Sequence, residues 1–416
     1  MKTIAIVEII LLVLYTLFFT LRTNRFLKNV NRNYNGTKCK SDHKIIIAIP
    51  CLREQNCIED TIKYFKKISL NIPIILITTQ KEIKENTNNL VTTQDIIKEN
   101  IITKYDNVYW VDYPYTTGYM ADQLNYMIDN LEIILDKKID FEDTYLALYN
   151  ADSRPNPKTF LELNKMKLNK NEVIQQYSYC MKNFEELKGI MKGFSIYQSN
   201  FEIKTGLINS FYDSRILYTH VVGHGLIINL KTLKTLGNFN TTFWCEDIYL
   251  SLQLKFNSIK VIPLLCLENI ETPDKLSKLI QQNAVWYKTT SQFIKMYKDI
   301  AKGKERLSKL KGLYGAINEM RCAINWLMFP IVLCMSGVVL LILNEMVTFS
   351  ILFVCYLLYV AMNAYCTIKV INQLENKHYI LNFNMFFYSV LATTFSNIGP
   401  IYSILSNKKE KYKTER

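Results

Sequence analysis

Hydrophobic residues are concentrated in four stretches, one at the beginning of the chain and three near its end. These stretches span residues 4–20, 324–343, 347–368 and 379–406 and carry almost no charged side chains. Each is long enough to cross the roughly 30 Å hydrocarbon core of a bilayer. Residues 22–320 have instead the mixed polar and apolar pattern of a water-soluble domain. The pattern predicts one large domain that is attached to a membrane at both ends.

Within that domain, short apolar runs alternate with segments of helical periodicity. Strands are predicted at 44–50, 72–78, 108–112, 144–150 and 260–265, and helices at 58–68, 119–135 and 245–256. Residues 171–230 are less regular. The alternation predicts an α/β fold with a three-layer, mostly parallel sheet, in which ligands bind at the carboxyl ends of the strands.

The same pattern divides the chain into six parts. They are an N-terminal transmembrane anchor (1–21), a polar linker (22–43), an α/β domain (44–270), amphipathic interface helices (271–320), a C-terminal transmembrane region (321–406) and a basic cytoplasmic tail (407–416). The amphipathic helices fit a membrane surface or a contact with their own domain. Asn397-Ile398-Gly399-Pro400 breaks a helix, and a re-entrant path for 379–406 would keep the tail in the cytoplasm.

The formal net charge of +13 has two possible explanations, nucleic acid or membrane lipid. Several clusters of basic residues adjoin the hydrophobic stretches: Arg22, Arg25, Lys28 and Arg32 follow the first, and Lys302, Lys304, Arg306, Lys309, Lys311 and Arg321 precede the second. This positive-inside pattern favours a multi-pass cell-membrane protein with residues 22–320 in the cytoplasm, and no nucleic-acid partner. The ten cysteines form no CxxC pair, which fits a reducing compartment.

Two acidic motifs are candidates for chemistry. Asn150-Ala151-Asp152-Ser153-Arg154-Pro155 follows a buried strand, where the Asp152 carboxylate can hold a divalent cation and, through it, a diphosphate. Trp244-Cys245-Glu246-Asp247 opens a predicted helix, where Asp247 suits a general base. Taken singly, each acid is better explained as an ordinary loop or helix-start residue.

Four stretches occur together in one order: residues 49–55, 118–125, 150–155, and the pair Glu246-Asp247 followed by Gln282-Asn283-Ala284-Val285-Trp286. In these stretches the chain resembles a membrane-bound family 2 glycosyltransferase with the GT-A fold, similar to polysaccharide synthases. The resemblance covers about residues 44–290. It implies an inverting transfer of a sugar from a nucleoside-diphosphate-sugar, a UDP-sugar in the first place, to a polysaccharide or lipid-linked acceptor at the cytoplasmic membrane face.

The resemblance also implies roles for individual residues. Asp152 is expected to ligate Mg²⁺ or Mn²⁺ and, with Asn150, Pro50 and Glu54, to bind the donor nucleotide. Asp247 is expected to be the catalytic base, with Glu246 beside it. The acceptor is expected to lie near Gln282 and Trp286, with His224 and Trp244 as further contacts. His224 is alternatively a histidine bonded in a tight turn, and Trp244 a core residue.

The chain departs from the family pattern at several positions. Asn150 stands where the family usually has aspartate, Val285 replaces an arginine, and Thr78-Thr79 replaces an aspartate after the second strand. Lys288 or Arg154 are candidates to supply the missing positive charge. The departures leave two alternatives open, a processive polysaccharide synthase and a catalytically silent membrane scaffold with a degenerate glycosyltransferase domain.

Overall fold

The computed structural model describes residues 2–33, 43–69, 71–86, 90–166, 168–169, 171–213, 218 and 220–406. Its strands are β1 (Lys44–Pro50), β2 (Ile74–Thr79), β3 (Val108–Tyr113), β4 (Thr144–Leu148), β5 (Glu172–Gln175), β6 (Ser178–Tyr179), β7 (Leu226–Asn229), β8 (Lys260–Pro263) and β9 (Glu268–Asn269). Its helices up to residue 301 are α1 (Lys2–Asn33), α2 (Ile58–Ile68), α3 (Gln80–Glu85), α4 (Thr93–Ile96), α5 (Met120–Asp129), α6 (Leu131–Ile134), α7 (Thr159–Leu163), α8 (Ile190–Phe201), α9 (Ile208–Asp213), α10 (Leu230–Thr235), α11 (Glu246–Phe256), α12 (Leu276–Lys288) and α13 (Phe293–Ala301). The helices after them are α14 (Arg306–Ile342), α15 (Met346–Glu375), α16 (Phe383–Thr394) and α17 (Ile398–Leu405), and two π-helical turns (Ile97–Ile101, Glu202–Leu207) and a 3₁₀ turn (Thr289–Gln292) complete the described elements.

Seven strands form one sheet in the order β3-β2-β1-β4-β7-β5-β8. Strand β7 is antiparallel to both of its neighbours, and every other pairing in this sheet is parallel. The mostly parallel α/β sheet predicted from the sequence is therefore confirmed. A separate pair, β6 and β9, lies beside the carboxyl edge of the main sheet, where Pro155 bridges to Glu268.

Both faces of the sheet are covered, and β1 shows why. Ile45, Ile47 and Ile49 pack on one face with α2, whereas Ile46 and Ala48 pack on the other with α5. Successive side chains of a strand point to opposite faces, so a strand buried on both sides needs a continuous apolar run. The run in β1 meets that requirement.

Helix α1 continues to Asn33, well into the segment 22–43 that the sequence predicts as a linker. Phe26, Leu27 and Val30 are buried against residues of the α/β domain and of α15. Arg25 and Lys28, which suggested a linker, are exposed on other faces of this helix. The predicted boundary between anchor and linker at residue 22 is therefore corrected, because the helix continues to Asn33. The rest of the predicted linker, 34–42, and the tail, 407–416, lie outside the described residues.

Three helices in the described part of the chain are long and apolar enough to cross a membrane, over Lys2–Val30, Arg306–Ile342 and Met346–Glu375. The fourth hydrophobic stretch, 379–406, instead forms the two short helices α16 and α17. Pro400 lies in the first turn of α17, where a missing N–H is tolerated. The break between α16 and α17 therefore ends at Asn397, the first residue of the predicted motif. Gly193 of α8 contacts α16, and Gly399 of α17 contacts Asn283 of α12.

The predicted amphipathic region 271–320 comprises α12, α13 and the beginning of α14. Phe293, Met296 and Ile300 of α13 are buried against Tyr249 and Phe256 of α11, so this face packs on its own domain. Other apolar side chains of the region remain exposed: Trp286, Ile294, Leu307, Leu310, Leu313 and Ile317. The expected contact with its own domain is thus present, and the exposed apolar face keeps the membrane-surface arrangement as a prediction.

Candidate active site

The loop after β4 carries Asp152 in a tight turn. Ser153 donates its backbone N–H to the carbonyl of Asn150 at 3.1 Å, and its hydroxyl accepts from the Asn150 N–H at 2.9 Å. The Thr61 hydroxyl of α2 donates to the Ala151 carbonyl. Asp152 itself is only 3% exposed. Short-range turn bonds and an anchor to α2 therefore fix the carboxylate at the end of the strand.

The loop after β1 lies next to this turn, because the Cys57 thiol lies 3.7 Å from the Ala151 carbonyl. Pro50 ends β1, and Glu54 is buried within hydrogen-bonding distance of that thiol, at 3.3 Å. The Glu54 N–H donates to the Thr93 hydroxyl at 2.7 Å. Both residues predicted to line the nucleotide pocket thus occupy the carboxyl edge of the sheet beside Asp152.

Two further acids lie at this edge. Glu82 of α3 is buried and accepts from the backbone N–H of Arg53 at 2.8 Å and of Thr93 at 2.7 Å. Asp112 of β3 accepts from the Thr78 hydroxyl at 2.7 Å. The neighbouring strand thus supplies the carboxylate that is missing from Thr78-Thr79.

Asp247 lies in the first turn of α11, after the extended residue Cys245. One carboxylate oxygen accepts from the Gly223 N–H at 3.1 Å and the other from its neighbour Ile248 N–H at 2.8 Å. A Cβ on Gly223 would lie 3.7 Å from the Asp247 carboxylate and 3.9 Å from that of Glu246. The acid pair therefore faces the backbone of the Gly223-His224-Gly225 loop.

His224 connects this loop to the β6–β9 pair. Its Nδ1 lies 2.8 Å from an oxygen of Glu268, which is fully buried. Burial lowers the pKa of His224, but the charge and hydrogen bond of Glu268 outweigh it and, with smaller contributions from Glu202 and Asp152, raise the pKa to about 9. His224 is therefore a buried cation at neutral pH, paired with the Glu268 carboxylate.

Gly225 makes that position of His224 possible. Its backbone has φ +63°, and its N–H donates to Leu148 of β4 while its carbonyl accepts from Gln176, each at 2.7 Å. A Cβ would lie 2.3 Å from the Gln176 carbonyl oxygen. Glycine is needed both for the left-handed conformation and for the close approach of the two backbones.

Trp244 lies beside the acid pair, on the side of α12. Its backbone N–H donates to the side-chain oxygen of Gln292 at 2.7 Å, and the ammonium group of Lys288 lies 4.5 Å from the centroid of its indole ring. Arg154, the other candidate for the missing positive charge, donates to the Thr61 hydroxyl at 2.7 Å and to the Ser153 carbonyl at 2.8 Å. Lys288 is thus held at Trp244, and Arg154 within the Asp152 turn.

The remaining predicted acceptor residues lie further along α12. The Gln282 side chain accepts from Gln198 of α8 at 3.3 Å. Trp286 is 48% exposed and one turn away from it. Gln282 thus lies where α12 contacts α8, whereas about half of the Trp286 side chain is exposed.

The structure gathers Pro50, Glu54, Asn150 and Asp152 at the carboxyl edge, and Glu246 and Asp247 across the loop of His224. Sequence reasoning missed Glu82, Asp112, Glu268 and Gln175, whose amide donates to the His224 carbonyl at 2.8 Å and accepts from the Val222 N–H at 3.0 Å. Glu268 is 44 residues from His224 along the chain. Their separation in the sequence therefore gives no indication that the two side chains are in contact.

The donor set limits the kind of cation that the site can hold. No group of three or more His, Cys, Asp or Glu side chains with metal-binding geometry occurs among the described residues. Mg²⁺ is commonly held by one or two carboxylates together with substrate phosphates and water. The single carboxylate Asp152, with the neutral amide of Asn150 two residues away, fits a cation of this kind, shared with a bound diphosphate.

Comparisons with known proteins show the fold. No protein-family profile matches the sequence, and no curated protein matches it. Among solved structures, the mannosyltransferase PcManGT from Pyrobaculum calidifontis, in complex with GDP-Man and Mn²⁺, is similar with a TM-score of 0.51. The match covers 98% of this chain and 99% of that one at 10% sequence identity. The chain therefore shares the fold of this mannosyltransferase over almost its whole length.

Proposed function

We propose that the protein is an inverting, metal-assisted glycosyltransferase of family 2 with the GT-A fold. It transfers a sugar from a nucleoside-diphosphate-sugar to a glycan or lipid-linked acceptor at the cytoplasmic face of the cell membrane. The observation that carries this proposal is the loop of His224, which contacts both acidic motifs. Its Gly223 N–H donates to Asp247, and His224 pairs with Glu268, which bridges to Pro155 of the Asp152 loop. The single mixed sheet, covered on both faces, supports the GT-A assignment.

In this proposal Asp247 acts as the general base. It accepts the proton of an acceptor hydroxyl while that oxygen forms a bond to the anomeric carbon of the donor. The bond between this carbon and the β-phosphate oxygen breaks, and its electron pair leaves with the nucleoside diphosphate. The Gly223 N–H holds one oxygen of Asp247, which fixes the direction of the carboxylate.

The leaving diphosphate requires positive charge. A divalent cation at Asp152 supplies Lewis-acid stabilisation of the leaving oxygen when it is bound. The protonated His224 adds a fixed charge on the protein side, held in place by Glu268. Lys288 lies at Trp244 on the acceptor side. These side chains partly replace the positive charge that Val285 does not provide.

The donor and the function are tested with full-length protein in detergent, using a panel of UDP- and GDP-sugars with Mn²⁺ or Mg²⁺. Wild-type protein is expected to release nucleoside diphosphate. The Asp247→Asn variant is expected to lose transfer because it cannot accept a proton, while thermal-shift binding of the donor persists. The control is Asp274→Asn, since Asp274 is exposed and pairs with Lys278 at 3.0 Å. Near-normal turnover of Asp247→Asn would contradict the base assignment.

A silent membrane scaffold is the second candidate, favoured by Asn150 and by the lack of a three-residue metal cluster among the described residues. It predicts that no member of the sugar panel is hydrolysed. It also predicts that Mn²⁺ does not strengthen the binding of any nucleoside diphosphate. Metal-dependent donor hydrolysis would rule it out.

A further inference from the structure

Glu375, the last residue of the apolar helix α15, contacts the α/β domain. One of its carboxylate oxygens accepts from the backbone N–H of Leu267 at 2.6 Å, and the other accepts from the side-chain amide of Asn156 at 2.7 Å. Leu267 is fully buried. Because a carboxylate accepts at both oxygens, one side chain joins the end of α15 to two separate segments of the domain.

The stability of α15 does not account for a carboxylate at this position. The C-terminal end of a helix carries a partial negative charge, which repels a carboxylate in the last turn. The last turn of α15 contains no basic residue that would offset this repulsion, and Asn376 ends the helix with φ +50°. The hydrogen bonds from Leu267 and Asn156 therefore stabilise Glu375 in a place that is unfavourable within its own helix.

The two bonded segments, residues 154–156 and 267–269, pair with each other in an antiparallel manner. Within this pairing the Asn156 N–H donates to the Leu267 carbonyl at 3.2 Å. Glu375 therefore bonds both members of one residue pair, at one end of the pairing. A contact of this kind fixes the two segments relative to each other and to α15.

Both segments lead directly to the charges of the candidate site. The first segment begins two residues after Asp152, the proposed metal ligand. The second contains Glu268, whose carboxylate lies 2.8 Å from His224. A displacement of Glu375 would therefore be passed to the proposed cation site and to the buried ion pair together.

The end of α15 is in turn held by helix α1. The Lys369 ammonium donates to the Asn24 side chain at 3.0 Å, and the Gln373 amide donates to the Leu27 carbonyl at 3.3 Å. These contacts lie within two turns of Glu375. The position of its carboxylate thus depends on how two long apolar helices pack, and not on the sheet alone.

We propose that Glu375 is a positioning residue, through which the packing of α1 and α15 sets the geometry of the donor site. It holds the Asp152 loop and the segment of Glu268 in register and does not itself touch the donor. The inference rests on the proposed function where donor binding is concerned. Its consequence for His224 is independent of that function.

The test exchanges the two partners of the hydrogen bond between the Asn156 amide and the Glu375 carboxylate. Glu375→Gln alone leaves one N–H, that of Asn156 or that of Leu267, facing an NH₂ group. Asn156→Asp alone places two carboxylates in contact. The double variant restores complementarity, because the amide at position 375 donates to the carboxylate at position 156. The oxygen of residue 156 that accepts from the Lys158 N–H at 2.8 Å is present in both forms.

The matched control is Glu345→Gln. Glu345 precedes α15 at its other end and pairs with Lys2 at 2.8 Å. Thirty residues at 1.5 Å each place it about 45 Å from Glu375. This variant removes the same kind of charge from the same helix, far from the Asp152 loop.

The first measurement is the Mn²⁺ concentration for half-maximal binding of UDP or GDP to full-length protein in detergent, followed by thermal shift. Each single variant is expected to raise this concentration about five-fold or more, a size usual for a broken coupling contact. The double variant and Glu345→Gln are expected to match wild type.

The second measurement is an NMR titration of His224 in protein labelled on its four histidines, with the signal assigned by its loss in His224→Gln. Both single variants are expected to lower the pH at which His224 titrates, because Glu268 moves away from it. The double variant is expected to restore the wild-type titration.

Two results would overturn the proposal. One is a lowered unfolding midpoint in the single variants with unchanged Mn²⁺ dependence and unchanged His224 titration, which shows a merely structural role. The other is a double variant that behaves like the single variants. Wild-type protein that binds neither nucleotide contradicts the glycosyltransferase function instead, and the His224 titration then decides the role of Glu375 by itself.

Discussion

The His224–Glu268 pair predicts a specific dependence of stability on pH. Glu268 is fully buried and 2.8 Å from His224, and the pair holds the pKa of His224 at about 9 against an ordinary value of 6.5. A pKa difference of this size between folded and unfolded chains corresponds to about 3 kcal/mol of stability. Because the folded pKa is the higher one, this stability is fully present below pH 6.5 and is lost as the pH rises through about 9.

The Glu268→Gln variant removes the charge and keeps the shape. Burial then dominates and lowers the pKa of His224, so the variant is expected to lose about 3 kcal/mol at pH 6.5, a size usual for a broken buried ion pair. The measurement is the apparent midpoint of thermal unfolding of full-length protein in detergent between pH 6 and pH 10. The difference in unfolding midpoint between wild type and variant should become smaller above pH 9.

The control is Glu162→Gln, which removes the same type of charge from a partly exposed pair with Lys165 at 2.7 Å. Exposed pairs contribute about 0–1 kcal/mol, so this midpoint should stay close to that of wild type at every pH. Two results would refute the reasoning. One is an unchanged midpoint of Glu268→Gln at pH 6.5, and the other is a gap that stays the same size at pH 10.

Two further predictions concern the loop and the metal. Gly225→Ala is expected to lower the unfolding midpoint more than Gly237→Ala, because both glycines have positive φ but only a Cβ at Gly225 meets a backbone atom, 2.3 Å away; equal midpoints would contradict the clash. Asn150→Asp adds a second carboxylate beside Asp152 and is expected to lower the Mn²⁺ concentration needed for half-maximal binding of a nucleoside diphosphate. An unchanged Mn²⁺ dependence would show that position 150 does not face the cation.

The strands were predictable from local pattern. The run 44–50 forms β1 with the predicted bounds, and the run predicted at 72–78 forms β2 at Ile74–Thr79. Apolar runs ended by proline or polar residues report strands because burial on both faces leaves little choice of residue. The irregular part, 171–230, gave no such signal, since it holds short strands, helices and the π-helical turn Glu202–Leu207.

The candidate site was predictable only in its residue types. Asp152 and Asp247 are recognisable from their positions after a strand and at a helix start. The partners that decide their environment, Glu268 for His224 and the Gly223 N–H for Asp247, come from other segments of the chain. Contacts of this kind depend on how the elements pack, which single-sequence spacing does not encode.

The sequence by itself determined the long apolar helices, the α/β order of elements and the positions of the two acidic motifs, because each depends on the hydrophobicity or type of neighbouring residues. Only the tertiary structure decided that α1 continues past residue 22 into the domain, that 379–406 forms two short helices, and that Glu375 of α15 bonds to Asn156. The physical reason is shared by all three. Where a helix ends, which of its faces is buried and how far a side chain reaches are set by the surfaces that pack around it.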